Sequence, residues 1–277
     1  MEKVVYLSFA QGYTDGKGKW FSNVNGPLLA KSVSAVMIRA GQGIWEDPLF
    51  RLHYQLCIDN KIPFGFWWFN QPNMIAQYQI DSFMKLWNSV PITPKVVAYD
   101  VEEIDYFDQS TGTWKKLFPP SKKFSHDNVM KWCKDIKQAT GANVGLYSRK
   151  LYIQDWLYET SEWYDFWLWI AAWYKYTGAV APALPWKWPG YKLHQYEGGD
   201  LGTPGVDPVK TCKEYFNGDH QNLLDFFGVN DLPNNESEEL KAEIVKLNTE
   251  IVKLNTEILK LNTELFNWNN WYLQAPK

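Results

Sequence analysis

Lys95-Val96-Val97-Ala98-Tyr99-Asp100-Val101-Glu102 follows a proline, opens as a β-branched apolar run and closes on two carboxylates one residue apart. The pattern predicts a short buried strand that delivers its charge at its C-terminal end. Residues two apart on a strand point to one face, so Asp100 and Glu102 project together from the strand tip. A D-x-E pair also occurs as an idle, solvated loop feature, because charged loop residues are mostly exposed. The segments on either side weigh between these readings.

Upstream, Lys3 to Phe9, Ser34 to Gly41 and Ile62 to Phe69 read as buried strands. Between them, Gly26 to Lys31 reads as a short helix. Asp47 to Asn60 and Asn73 to Asn88 place Leu49, Leu52, Leu56 and Ile75, Phe83, Trp87 at helical spacing. Downstream, Glu103 to Lys123 is a long polar and aromatic insertion, of a length that is often functional. Ser125 to Thr140 predicts a helix with Ser125 as N-cap and Gly141 as stop. Asn143 to Ser148, Phe166 to Tyr174 and Tyr191 to Tyr196 supply further strands, with a helix over Lys150 to Glu159, and Gly205-Val206-Asp207 ends an eighth. Alternating strands and helices imply parallel pairing, and strands apolar on both faces imply burial under helices. Eight strands in about 210 residues predict an α/β fold, an irregular TIM-like (β/α) barrel over residues 1–230 with weak late helices. An open doubly wound sheet is the alternative, but no G-x-G-x-x-G follows the first strand.

The pattern changes after residue 230. Residues 231–236 read as a linker and 237–273 as a coiled-coil helix. Glu243-Ile-Val-Lys-Leu-Asn-Thr recurs from Glu250 and, with one Val→Leu change, from Glu257, a period of seven. Ile244, Ile251 and Ile258 occupy a; Leu247, Leu254 and Leu261 occupy d, a pairing that favours two parallel strands. Asn at e leaves no interhelical ion pairs, and Val245, Val252 and Leu259 at b widen the apolar face. The expectation is a homo-oligomer through residues 240–268; a lone amphipathic helix folded back on the domain is the alternative.

A net charge of -3 gives no electrostatic case for nucleic acid or an anionic membrane. No apolar stretch reaches the length of a membrane span. Cys57, Cys133 and Cys212 are odd in number and far apart, which argues against a disulfide framework or a C-x-x-C site. The four histidines show no H-x-x-x-H spacing, so neither a metal nor a cofactor is expected. Aromatics make up 17% of the chain, an excess that suits stacking on the apolar faces of sugars. Paired carboxylates at a barrel mouth are the equipment of acid-catalysed glycoside hydrolysis.

From about residue 3 to 216 the chain resembles the glycoside hydrolase family 25 lysozymes, the Chalaropsis-type muramidases common in phage and bacteria. Leu7-Ser8-Phe9-Ala10-Gln11-Gly12 is similar to that family's opening D-V-S-x-x-Q-G, and Val36-Met-Ile-Arg-Ala-Gly-Gln-Gly43 to its V-I-I-K-A-T-E-G. Glu46-Asp-Pro-Leu-Phe50 resembles T-D-P-Y-F, Phe64-Gly-Phe-Trp-Trp-Phe69 resembles G-A-Y-H-F, and Tyr99-Asp-Val-Glu102 matches L-D-x-E. Gly145-Leu-Tyr-Ser148, Leu168-Trp-Ile-Ala171 and His194-Gln-Tyr196 match later landmarks, and Gly205-Val-Asp207 resembles V-D-x-N.

The resemblance implies cleavage of the glycosidic bond after N-acetylmuramic acid in peptidoglycan. Glu102 would be the general acid, its pKa raised by burial and by Asp100. Asp100 would stabilise charge developing on the sugar or its acetamido group. Asp207, Tyr6, Trp67, Gln42, Tyr147, Trp169 and Gln195 would line the substrate cleft. Three departures accompany the match: Tyr6 stands where the family has Asp, Gln42 where it has Glu, and Trp67 where it has Tyr.

Two functional readings follow. One is a muramidase of the phage-lysin kind, oligomerised by its tail and acting on peptidoglycan glycan strands. The opening Met-Glu-Lys-Val-Val-Tyr is too short an apolar run for a signal peptide. The expected location is therefore cytoplasmic in the producing cell, with action on the wall after release, or association with a virion. The other reading is a catalytically impaired barrel that binds wall glycan multivalently.

Overall fold

A computed structural model describes residues 2–173, 181–200, 202–206, 210–228 and 250. Asp207 and, apart from Glu250, the expected linker and coiled coil over 231–273 lie outside the described residues.

Eight strands close into a barrel. They are β1 (Glu2–Leu7), β2 (Ala35–Gln42), β3 (Phe64–Phe69), β4 (Val96–Asp100), β5 (Asn143–Arg149), β6 (Trp167–Ala171), β7 (Leu193–Asp200) and β8 (Thr211–Phe216). Each of β1 to β6 pairs in parallel with the next. β8 runs antiparallel to both β7 and β1 and completes the ring.

The eighth strand corrects the sequence expectation. Residues 204–206 form a turn rather than a strand end. Gly205 has φ +94°, and a Cβ there would come within 2.4 Å of the Leu29 backbone nitrogen. Its carbonyl accepts from the Asn25 N–H at 2.7 Å, so the segment docks on a neighbouring helix start and cannot pair in the sheet. The chain pairs later, over Thr211–Phe216. Its antiparallel sense follows from a return over 201–210 that is shorter than the dozen or so residues of a parallel crossover.

The helices are α1 (Gly26–Ala30), α2 (Phe50–Asp59), α3 (Ala76–Trp87), α4 (Lys122–Thr140), α5 (Lys150–Trp156) and α6 (His220–Phe227). α4 begins earlier than expected. Ser121, not Ser125, is its N-cap, accepting from the Phe124 N–H at 3.1 Å, while Ser125 is buried inside the helix. The insertion before it is not a plain loop. Ile104–Asp108 and Thr113–Leu117 form an antiparallel hairpin that starts two residues after Glu102.

Strand alternation builds two apolar layers. One face of the barrel wall packs under the helices, through side chains such as Val36, Ile38, Val97 and Tyr99. The other fills the barrel with Val4, Ala35, Met37, Ala98, Trp167, Leu193 and Phe216, and α6 adds Leu223 and Phe227 to this cluster. Gly145 is obligatory here: a Cβ would lie 2.2 Å from the Trp167 ring. On β4 the Tyr99 ring stacks on Trp132 of α4 at 4.0 Å, and its hydroxyl donates to Asn70 Oδ1 at 2.7 Å. These contacts pin the register. With Tyr99 and Val101 outward, Asp100 must face the barrel interior; a one-residue slip would reverse both.

Candidate active site

The barrel interior changes character at the C-terminal ends of its parallel strands, where a cleft of about 410 Å³ opens. Its wall includes Tyr6 from β1, Arg39 from β2, Trp67 and Phe69 from β3, and Asp100 with Glu102 from the end of β4. Tyr147, Trp169 and Gln195 continue it on β5, β6 and β7, and Cys212 on β8.

The two carboxyls are held by their backbone. Between them, the Val101 N–H donates to the Tyr147 carbonyl at 2.9 Å, and its own carbonyl accepts the Ser148 hydroxyl at 2.5 Å. The tip of β4 is thereby clamped to β5. Asp100 is buried, and its Oδ1 has no hydrogen-bond partner among the described residues. Desolvation raises its pKa well above the usual carboxylate range; the charge of Glu102 adds to this and the Arg39 guanidinium opposes it. Glu102 lies half-buried just beyond the strand. Burial pushes its carboxyl up to about 7; Glu103 supplies the largest added repulsion, while Arg149 and Lys116 oppose. Asp100 and Glu102 titrate together, and the repulsion between them favours a proton on the pair. Two carboxyls in one desolvated cleft retain a proton near neutrality, the state a general acid requires.

Arg39 is the cation facing this pair. Its guanidinium lies 5.1 Å from the Phe9 ring centroid and 5.4 Å from those of Trp67 and Phe69. Nε is 3.8 Å from Asp47 Oδ2, an oxygen that also accepts the Phe9 N–H at 3.0 Å. Gln42, expected in the substrate cleft, is not part of its wall. Its Oε1 accepts from Arg39 and its amide donates to Gln71 at 3.3 Å, so it steadies Arg39 instead.

The floor is aromatic. Tyr6 meets Trp67 edge-on at 5.5 Å, and Tyr147 meets Trp169 at 4.8 Å. The Nε1 atoms of Trp67 and Trp169 are buried without partners among the described residues. Burial and Cys212 push the Tyr6 phenol far up, so this position, an acid in the family pattern, stays uncharged.

Gln195 knits the far wall. Its Oε1 accepts from the Tyr147 hydroxyl and from Trp173 Nε1, both at 2.9 Å, which turns its amide toward Glu214 Oε1 at 3.3 Å. Trp173 fits because residue 198 is glycine; a Cβ there would lie 2.8 Å from the indole. Glu214 is wholly buried, and desolvation raises its pKa well above the usual carboxylate range while the Gln195 amide opposes.

Asp100, Glu102, Tyr6, Trp67, Tyr147, Trp169 and Gln195 therefore share one cleft. Sequence reasoning missed Arg39, Phe9, Trp173, Cys212 and Glu214. Two had a readable signal. Arg39 continues the inward set Ala35, Met37, and Glu214 lies between Cys212 and Phe216 on one face of an apolar strand. Trp173 had none, since it stands past the end of β6. Among the described residues no group of His, Cys, Asp and Glu side chains is arranged to hold a metal ion.

Comparison with solved structures places the chain beside lysozymes. It is similar to the bacterial lysozyme of Streptomyces coelicolor, with 20% identity, TM-score 0.62, and 82% of this chain and 96% of that one covered. A family 25 lysozyme of Aspergillus fumigatus gives 19% identity and TM-score 0.60 over 82% and 98%. The modular autolysin LytC of Streptococcus pneumoniae, solved with a synthetic peptidoglycan ligand, gives 19% and 0.59 over 77% and 46%. A search of curated proteins finds no match. The profile of Glycosyl hydrolases family 25 matches residues 11–202, most of the barrel. The chain belongs to glycosyl hydrolase family 25.

Proposed function

We propose that this glycoside hydrolase is an N-acetylmuramidase that cleaves the glycan strand of peptidoglycan, with Glu102 as general acid. The observation that carries the reading is the placement of Glu102 beside Asp100 in an aromatic cleft, its carboxyl protonated up to about pH 7. Glu102 gives its proton to the leaving glycosidic oxygen. Asp100, opposite Arg39, is the group placed to oppose positive charge on the sugar ring or to orient its acetamido group. The aromatic side chains of Trp67 and Trp169 in the cleft wall suit the apolar faces of such a sugar. The lysozymes and the peptidoglycan-bound autolysin among the similar structures support the substrate class.

Incubating the full chain with purified peptidoglycan should release new reducing ends that carry muramic acid, and Glu102→Gln should not. The neutral Tyr6 favours a second reading, a barrel that binds the strand without cutting it. Retention on walls with no reducing ends from the parent protein would select that reading.

Two further elements belong to this proposal. The strict seven-residue repeat supports self-association of residues 240–268 as a coiled coil. Replacing Ile251 and Leu254 by Asp should then reduce the solution mass to that of a monomer; a parent protein already monomeric by light scattering refutes the oligomer. The setting is a phage lysin made in the cytoplasm, consistent with three unpaired, buried cysteines, and reaching the wall after release or within a virion.

A further inference from the structure

The hairpin after Glu102 enters the chemistry above only through its charges on Glu102, yet it borders the cleft. Its register sets Asp105 opposite Lys116 and Phe107 opposite Trp114. Alternation along each strand then places all four on one face. The inner end of that face, Asp105 and Lys116, lines a second hollow of about 540 Å³. This hollow shares Glu102, Tyr147 and Trp173 with the catalytic cleft, so the two adjoin. The outer end lies roughly 7 Å farther along the strands. There Trp114 is 72% exposed and Phe107 49%, the rings meeting edge-on at 5.6 Å. The base is tied to the barrel: Lys116 Nζ donates to Glu103 Oε1 at 2.7 Å, and Arg149 at the end of β5 pairs with the same carboxylate. Asp108 and Lys115 are paired nearer the tip.

We propose that this hairpin face is a sugar-binding platform that extends the catalytic cleft past Glu102, with Trp114 as the ring on which a distant pyranose of a long glycan strand stacks. The proposal rests on the muramidase reading for its choice of glycan. The adjoining hollows select the occupant: a polymer that runs past Glu102 from the cleft into the second hollow emerges over Trp114. A large exposed indole held by a partner ring offers an apolar plane at little cost in conformational freedom. A short oligosaccharide that fills only the catalytic cleft does not reach it.

The test compares the parent protein with Trp114→Ala and Trp114→Phe on two substrates, soluble uncrosslinked peptidoglycan chains and a short glycan fragment from the same wall. For Trp114→Ala the ratio of kcat/KM on the long chain to that on the short one should fall roughly fivefold, mainly through KM, and Trp114→Phe should restore most of it. A ratio unchanged in Trp114→Ala, or equal losses on both substrates, overturns the platform. So does a drop in solution mass in Trp114→Ala, which makes the hairpin a contact between copies. If the parent protein releases no reducing ends, the muramidase reading fails by itself. Co-sedimentation of Glu102→Gln with insoluble walls, with and without Trp114→Ala, then decides the platform: weaker retention of the double variant supports it and equal retention removes it.

Discussion

The two ends of the barrel interior are built from the same strands and obey opposite rules. Toward the N-terminal end of the parallel strands the inward residues are apolar and sized to one another: Ala98 on β4, Leu193 on β7, Phe216 on β8, and Gly145 where only the Trp167 ring fits. One step along each strand the inward residue turns polar. Ala98 gives way to Asp100, Leu193 to Gln195, Phe216 to Glu214 and Met37 to Arg39. The first end contributes stability through burial. The second costs stability, because carboxyls are buried there without full hydrogen bonding among the described residues. A closed barrel tolerates this because backbone pairing and the helical layer hold the strand ends in place. The acid's proton affinity is thus raised by the scaffold rather than by a dedicated partner.

Changes at either end test this division. The largest effect belongs to the polar end: Glu102→Gln should lower reducing-end release by about 10²- to 10⁴-fold, with the far-ultraviolet circular dichroism unchanged. Loss of the fold in that variant would refute the assignment of Glu102 to the stability-costing end. Next comes the outer layer that fixes the register. Trp132 is fully buried against Tyr99, and Trp132→Ala should cost about 3–5 kcal/mol in urea unfolding. The smallest effect is a stability gradient with pH. The folded carboxyl of Glu102 titrates at about 7 against an ordinary 4.5, so it binds its proton more tightly folded than unfolded. Its contribution is present in full below about pH 4.5 and is lost as pH rises through 7, at most about 3 kcal/mol. Glu102→Gln should flatten that part of the profile and be the more stable protein above pH 7; a parallel profile in the variant places the titration elsewhere.

What could be read in advance was whatever a short periodic pattern dictates. β4 was legible because its apolar alternation ends in two acids, and Tyr6, Trp67, Tyr147, Trp169 and Gln195 lay at matching positions of a family pattern. Gln42 lay there too, but its side chain is held by Arg39 and Gln71 outside the cleft wall. The hairpin over 104–117 was hidden because its strands are short and charged, so their pairing depends on partners across the turn. β8 was hidden for a similar reason. Lys213 and Glu214 break its apolar look, and only ring closure makes one face of it an interior.

By itself the sequence determined the alternating β/α order, the inward pair on β4 and the family, since local pattern and motif spacing suffice for each. Tertiary structure alone decided which strand closes the ring, that burial raises the proton affinity of Glu102, and that the hairpin base lines a hollow beside the cleft. The physical reason is the same in each case. Closure, desolvation and the lining of the cleft depend on residues far apart in the chain, and no window of sequence contains them together.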